Sequence, residues 1–122
     1  MQDTIFAVDD NGTNLSTAEE ALEGQYRVIT LSSAARMFAI LEKVTPDLIL
    51  LDIEMPEMDG FEALKQLKAG GPHSGIPVIF MTATADAAGE ARGKELGAAD
   101  IVIKPFSEPA LLDCVKNHLK GA

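Results

Sequence analysis

The chain has 122 residues, enough for a single domain over 1–122 that buries a core without disulfides or a structural metal. It is 47% hydrophobic and 24% charged, and its formal net charge of −9 argues against nucleic-acid binding, which needs a basic surface. The single cysteine, Cys114, excludes an internal disulfide framework. The absence of a long apolar run and of a signal-peptide pattern predicts a cytoplasmic protein without membrane contact.

The first part of the chain predicts strand, helix, strand and helix. Thr4–Val8 is a short apolar strand, and Asn11–Asn14 provides turn and cap residues for a helix that ends at Gly24. The β-branched, apolar segment Tyr26–Leu31 predicts a second strand. Ser32-Ser33 offers a cap for a second helix that extends to Val44. This helix is so apolar that we expect deep burial against the sheet, with a partner-binding face as the alternative.

The run Leu48–Leu51 is typical of a central parallel strand that is covered on both faces. It ends in Asp52, and a carboxylate fits such a run only where the strand emerges from the core. Asp59, followed by Glu62, predicts the N-cap of a third helix. Open α/β sheets bind ligands at the carboxyl ends of their strands, so Asp52 is the first candidate functional residue.

The last part of the chain predicts two more strands and two more helices. Pro77–Met81 and Ile101–Ile103 are short apolar strands. Asp86–Leu96 is a weak helix, because each of its internal glycines costs about 1 kcal/mol relative to alanine. Ser107 caps a last helix, whose expected core-facing residues are Leu112, Val115 and Leu119.

This alternation of strands and helices predicts an α/β fold with a five-stranded parallel sheet and helices on both faces, a doubly wound, flavodoxin-like arrangement. Right-handed crossovers leave few topologies, and strand order 2-1-3-4-5 is a common one in this class. No repeat or linker divides the sequence, so we expect one domain.

Polar residues follow four of the predicted strands: Asp9-Asp10, Asp52, Thr82 and Lys104. Parallel strands place these ends on one edge of the sheet. Two like charges about 4 Å apart repel by around 4 kcal/mol at an effective dielectric constant of 20, and a divalent cation would offset this repulsion. Oxygen ligands favour Mg²⁺ over zinc. A carboxylate beside Mg²⁺, a lysine and a threonine favours phosphoryl chemistry, with aspartate as the nucleophile.

Four short motifs stand at these strand ends: Val8–Asp10 (VDD), Leu50–Gly60 (LLDIEMPEMDG), Thr82–Ala83 and Lys104–Phe106 (KPF). In this order they resemble the receiver domains of two-component response regulators, from Ile5 to about Leu119. The resemblance implies a phosphorylation-dependent signalling switch rather than a metabolic enzyme. Such a switch takes a phosphoryl group from the phosphohistidine of a sensor histidine kinase or phosphotransfer protein, hydrolyses it slowly, and shifts between inactive and active conformations.

The resemblance also implies the metal ligands and the phosphoryl acceptor. Asp52 would accept the phosphoryl group and contribute to a Mg²⁺ site. Asp10 would bind the ion directly, Asp9 largely through water, and Glu54 through its backbone carbonyl. The side chain of Glu54 is expected to influence how fast water removes the phosphoryl group.

The resemblance also implies roles for residues at the ends of the fourth and fifth strands. Lys104 would pair with Asp52 and then with the phosphoryl group, to which Thr82 would donate a hydrogen bond. Thr84 is expected to influence dephosphorylation. The peptide bond before Pro105 is expected to be cis.

One residue departs from the family pattern. Receivers usually carry Tyr or Phe three residues before the lysine of the KPF motif, where this chain has Ile101. The aromatic ring of those receivers moves between the surface and the pocket, and the β-branched side chain of isoleucine has no ring that could do so. We therefore hypothesise that signalling depends on the weak helix Asp86–Leu96. Expected downstream partners are an effector protein or a covalently linked output domain, and a homodimer is left open.

Two other functions remain alternatives at this point. A haloacid-dehalogenase-type phosphatase carries an acid two residues after its nucleophile, the spacing of Glu54, but the family's aspartate, downstream threonine and cap domain are missing. An unphosphorylated docking module is the second alternative, and the intact acid, threonine and lysine set argues against it. Outside these motifs, Cys114 is expected to be a small core or half-exposed residue rather than a redox thiol, and His118 to be solvated.

Overall fold

The computed structural model describes residues 3–69, 71, 73–83, 87–104 and 107–119. Over these residues the chain forms five strands and five helices in strict alternation. The strands are β1 (Thr4–Val8), β2 (Arg27–Leu31), β3 (Leu48–Asp52), β4 (Val78–Thr82) and β5 (Asp100–Ile103). The helices are α1 (Gly12–Leu22), α2 (Ala34–Leu41), α3 (Gly60–Leu67), α4 (Ala87–Leu96) and α5 (Glu108–Leu119). The predicted α/β class is confirmed.

The strands form one parallel sheet in the order β2-β1-β3-β4-β5, which confirms the predicted order 2-1-3-4-5. β3 is central, and all of its residues are buried. β1 and β3 are neighbours, with Val8 aligned to Leu51, so their carboxyl ends lie side by side. This is the point where the strand order reverses, and the acidic residues follow these two strands.

Alternate strand residues divide the core into two layers. Phe6 and Phe80 belong to a cluster that includes buried residues of α2 and α3, whereas Ile5 and Leu50 belong to a second cluster with residues of α1 and α5. Because helices cover both faces, the central strands need apolar residues at every position. The uninterrupted apolar runs in the sequence have this cause.

The helices begin where their cap residues predict. The side chains of Asn11, Ser33 and Asp59 accept hydrogen bonds from backbone N–H groups in the first turns of α1, α2 and α3. α2 ends at Leu41 rather than at the expected Val44, whose backbone N–H closes a turn onto the carbonyl of Ile40.

The burial of α2 and α5 follows the apolar pattern, with one addition. α2 buries Ala34, Met37 and Leu41 against the sheet, as expected. In α5 the expected residues Leu112, Val115 and Leu119 pack against the core, Val115 fully buried and the two leucines partly buried. Leu111 is also fully buried and was not predicted.

α4 approaches the sheet closely because it carries a glycine at the contact. Gly93 is the buried residue of α4, and a Cβ atom at this position would lie 3.0 Å from Cδ2 of Phe80. The Phe80 ring packs edge-on against Phe61, with ring centroids 5.3 Å apart, and Arg92 lies 4.3 Å above the centre of the Phe61 ring. α4 thus rests on an aromatic pair rather than on a broad apolar stripe of its own.

Gly60 sets the distance between α3 and the carboxyl end of β3. A Cβ atom at Gly60 would lie 2.5 Å from the carbonyl oxygen of Asp52 and 2.7 Å from Cα of Ile53. Gly60→Ala should therefore lower the free energy of unfolding by about 1–3 kcal/mol, because the backbone must shift to admit the methyl group. Urea denaturation measures the change.

Gly12→Ala is the matched control, because a Cβ atom at Gly12 would meet nothing within 4 Å. Alanine there should leave the stability unchanged or raise it by up to about 1 kcal/mol. Equal effects of the two substitutions would contradict the close approach at Gly60.

Candidate functional site

Three carboxylates meet at the carboxyl edge of the sheet. Asp52 ends β3, and Asp9 and Asp10 directly follow β1. Asp9 and Asp52 are 0% and 1% exposed, whereas Asp10 is exposed to solvent. One oxygen from each carboxylate lies within 4.8 Å of the other two. The structure thus brings together the three acids that the sequence motifs single out.

Lys104, directly after β5, supplies the positive charge of this site. Its Nζ atom donates a hydrogen bond to Oδ1 of Asp52 at 2.8 Å and lies 3.0 Å from Oδ2 of Asp9. Burial lowers the pKa of Lys104, but the contacts with Asp52 and Asp9 outweigh this and raise it overall, which keeps the ammonium group charged.

Asp52 has an altered pKa for related reasons. Burial raises the pKa of its carboxyl group, Lys104 lowers it, and the neighbouring charge of Asp9 raises it again, to about 6. Burial and Asp9 therefore disfavour the ionised form of Asp52, whereas the ammonium group of Lys104 favours it.

The two carboxylate oxygens of Asp9 have different partners. Its Oδ1 accepts a hydrogen bond from the backbone N–H of Asn11 at 2.9 Å. Its buried Oδ2 makes no hydrogen bond of good geometry within the described residues, although it forms the 3.0 Å ion pair with Lys104. Among the described residues, three acids face one ammonium group at this site. A buried carboxylate oxygen without a hydrogen bond, beside an all-oxygen donor set, fits Mg²⁺.

Glu54 extends the site toward β4 through its side chain. Its Oε2 accepts a hydrogen bond from the hydroxyl of Thr82 at 2.9 Å, and its Oε1 accepts one from the backbone N–H of Ala83 at 3.3 Å. The sequence pointed to the backbone carbonyl of Glu54 and to an effect of its side chain on dephosphorylation, but these two hydrogen bonds were not predicted. The pairing of β3 with β4 could have indicated this bridge, because it aligns Asp52 with Met81 and so brings the residues after both strands close together.

Of the three remaining candidate residues, Ile101 is the one that the structure describes. Ile101 is partly buried on β5 and packs against the α2–α3 layer of the core, close to Gly93 of α4. Thr84 and Pro105 lie outside the described residues, so the cis peptide bond expected before Pro105 stays a prediction.

A second polar cluster lies at the opposite edge of the sheet. His118 was expected to be solvated, but its Nε2 lies 3.0 Å from Oδ2 of Asp100, the first residue of β5. The same oxygen accepts a hydrogen bond from Sγ of Cys114 at 3.5 Å. Burial and the nearby Asp100 carboxylate raise the pKa of Cys114 to about 12, which argues against a reactive thiol. The predicted fifth strand began at Ile101 and left Asp100 outside it, so this contact was not predicted.

Comparison with known proteins points to one family. The family model of the response regulator receiver domain matches residues 5–116. The Polar-differentiation response regulator DivK of Brucella ovis is 32% identical over 123 residues, which covers 100% of both chains. A Vibrio cholerae protein named "Probable cyclic di-GMP phosphodiesterase" is 41% identical over 120 residues, 98% of this chain but 27% of that protein. The chain therefore spans about a quarter of this longer relative.

A solved structure agrees in fold. The chemotaxis protein CheY4 of Vibrio cholerae superimposes with a TM-score of 0.92 at 27% identity, over 98% of this chain and 100% of the other. Among the residues described, no helix has the length and hydropathy needed to cross a membrane.

Millimolar Mg²⁺ should raise the melting temperature of the protein by several degrees if the three acids bind it. Binding to the folded state alone contributes about 1.4 kcal/mol when the Mg²⁺ concentration is ten times Kd. Asp10→Asn should remove most of this increase, and calorimetry with and without a chelator measures it.

Glu20→Gln on the exposed side of α1 is the control for a general charge effect. It should leave the response to Mg²⁺ unchanged. An equal increase in the Asp10→Asn variant, or no increase in the unaltered protein, would contradict the metal site.

Proposed function

The chain belongs to the response regulator receiver family, whose members act in two-component phosphorelay signalling, and we propose that Asp52 is its phosphoryl acceptor. One observation carries this proposal. Asp52 is buried at the carboxyl end of the central strand, hydrogen-bonded to Lys104 and close to two further acids. Asp9 is also buried and also contacts Lys104, but its Oδ1 is bound by the backbone N–H of Asn11, whereas Asp52 ends the central strand and accepts the hydrogen bond from Lys104.

The transfer is a displacement at phosphorus. An oxygen of the ionised Asp52 carboxylate attacks the phosphorus atom of a phosphohistidine, and a P–O bond forms as the P–N bond breaks. The bonding electron pair stays on the nitrogen, which leaves as neutral imidazole when its ring is protonated. In hydrolysis, water attacks the same phosphorus, the electron pair of the P–O bond returns to Asp52, and the water proton passes to the released phosphate or to solvent.

Lys104 and the acids would offset the negative charge of the transferred phosphoryl group. Asp9, Asp10, Asp52 and the backbone carbonyl of Glu54 would hold Mg²⁺, which neutralises charge on the phosphoryl oxygens when bound. Lys104 already contacts Asp52, and its ammonium group stabilises the added phosphoryl charge at the same place. This positioning and charge neutralisation are what a phosphoryl transfer requires of a protein.

Glu54 competes with the phosphoryl group for the remaining donors. Its carboxylate accepts hydrogen bonds from the Thr82 hydroxyl and the Ala83 backbone N–H. These two donors lie at the end of β4, next to the strand end that carries Asp52, and would bind phosphoryl oxygens. The phosphorylated state therefore requires the exposed Glu54 side chain to leave them.

The conformational change that follows phosphorylation extends from Thr82 toward α4. Release of Thr82 from Glu54 alters the end of β4, and Phe80 two residues earlier supports Gly93 of α4. Ile101 packs in the same region without a ring to rotate. α4, which has few buried side chains of its own, is the element whose position this change shifts between two conformations.

The partners follow from the chemistry. The phosphoryl donor is a sensor histidine kinase or a phosphotransfer protein, and the output is a separate effector, a covalently linked domain or a second copy of the chain. The cyclic di-GMP phosphodiesterase relative, which is longer than this chain, supports the linked-domain arrangement. We expect the domain to act in the cytoplasm, as a switch that modifies only itself.

Acetyl phosphate with Mg²⁺ should add the mass of one phosphoryl group to the protein, because a small phosphoryl donor can replace the phosphohistidine. Intact-mass spectrometry measures the adduct. Asp52→Asn should abolish it, whereas Asp113→Asn, an exposed aspartate on α5, should leave it unchanged. An adduct that persists in Asp52→Asn would contradict the acceptor assignment.

Glu54→Ala should accelerate phosphorylation by acetyl phosphate about tenfold, since it frees two donors and removes a negative charge. Glu57→Ala, which removes an exposed acid three residues further along, is the matched control and should have little effect. The rate of adduct formation measures both. Equal rates in the Glu54→Ala variant and the unaltered protein would contradict competition for Thr82 and Ala83.

A further inference from the structure

We propose that Asp100, Cys114 and His118 form a second metal site, for a zinc-like divalent cation, separate from the acidic site of Asp52. Cys114 and His118 are four residues apart on α5 and share one face of the helix. Asp100 begins β5, at the edge of the sheet opposite to Asp52. The ligand set combines a thiol, an imidazole and a carboxylate, which suits Zn²⁺ rather than Mg²⁺.

The distances fit a tetrahedral ion with small adjustments. Ligand atoms about 2.0–2.3 Å from a tetrahedral zinc ion lie roughly 3.3–3.8 Å from each other. Oδ2 of Asp100 is 3.0 Å from Nε2 of His118 and 3.5 Å from Sγ of Cys114. All three ligand atoms lie within 4.8 Å of one another, so rotations of the side chains are sufficient to close the site.

The charge balance also fits. Without a metal, one carboxylate oxygen is approached by both the thiol and the imidazole. A divalent ion would displace the thiol proton to solvent and bind the resulting thiolate, the neutral imidazole and the carboxylate, so that two negative charges offset its charge. Burial raises the pKa of Cys114, which weakens binding to some extent, but metal coordination deprotonates thiols directly.

The surroundings supply support and access. Oδ1 of Asp100 accepts a hydrogen bond from the backbone N–H of Ile101 at 2.8 Å, which fixes the orientation of the carboxylate. The side chains of His118 and Asp100 are 28% and 48% exposed, so an ion can enter and a water molecule can complete four-coordination. A bound ion would join the C-terminal part of α5 to the start of β5.

Cobalt(II) titration of the full chain tests this proposal. Excess Mg²⁺ keeps the acidic site filled, and a non-thiol reductant protects Cys114. The unaltered protein should show a near-ultraviolet thiolate-to-cobalt absorption band that saturates at one equivalent and that Zn²⁺ removes. Cys114→Ser should abolish the band, and His118→Gln and Asp100→Asn should weaken binding at least about tenfold.

Asp113→Asn is the control, because it removes a carboxylate next to Cys114 that lies on the exposed side of α5. It should leave the titration unchanged. Absence of the band in the unaltered protein would overturn the proposal. Unchanged affinity in both His118→Gln and Asp100→Asn would also overturn it, since that result indicates a thiol acting alone. Circular dichroism of each variant establishes that the fold is retained.

Discussion

The shared contact of one ammonium group with two buried carboxylates is the constraint on which the rest of this structure depends. Lys104 lies 2.8 Å from Asp52 and 3.0 Å from Asp9, and the exposed Asp10 brings a third acid within reach. Like charges at such distances repel by several kcal/mol at an effective dielectric constant of about 20. The carboxyl ends of β1, β3 and β5 lie on the same edge of the sheet, and this places the carboxylates and the ammonium group close together. The site therefore requires a parallel sheet in which the strand order reverses between β1 and β3.

Glu54 divides this edge into an acidic half and a half that donates hydrogen bonds. On one side lie the three carboxylates of Asp9, Asp10 and Asp52. On the other side, the Thr82 hydroxyl and the Ala83 N–H donate hydrogen bonds to the Glu54 carboxylate. In the proposed switch, Lys104 and the metal that the acids would hold offset the negative charge of a phosphoryl group on Asp52, and this group displaces the Glu54 carboxylate from Thr82 and Ala83. Because Thr82 ends β4 and Phe80 of the same strand supports α4, the exchange of one anion for another has a direct structural route to the surface.

The sequence predicts those features that depend on single segments. Apolar runs ending in polar residues give the strands, the α/β class and the residues of the site, and Asn11, Ser33 and Asp59 mark helix starts. Contacts between segments are harder to foresee. The bridge from Glu54 to β4 depends on strand register, and the pairing of His118 with Asp100 depends on where α5 crosses β5. The core-facing side of α5 was predicted without its fully buried Leu111, because the adjacent leucines at 111 and 112 suit the buried position equally well.

Chemical trapping of the acceptor residue is the most direct test of the central claim. Borohydride reduces an aspartyl phosphate to homoserine, so the protein is phosphorylated in Mg²⁺ by a phosphohistidine donor, reduced, digested and sequenced by mass spectrometry. The account predicts homoserine at position 52 and unmodified aspartate at Asp9 and Asp10. Homoserine at either of those positions with Asp52 unmodified, or phosphate recovered on a histidine of this chain, would contradict it.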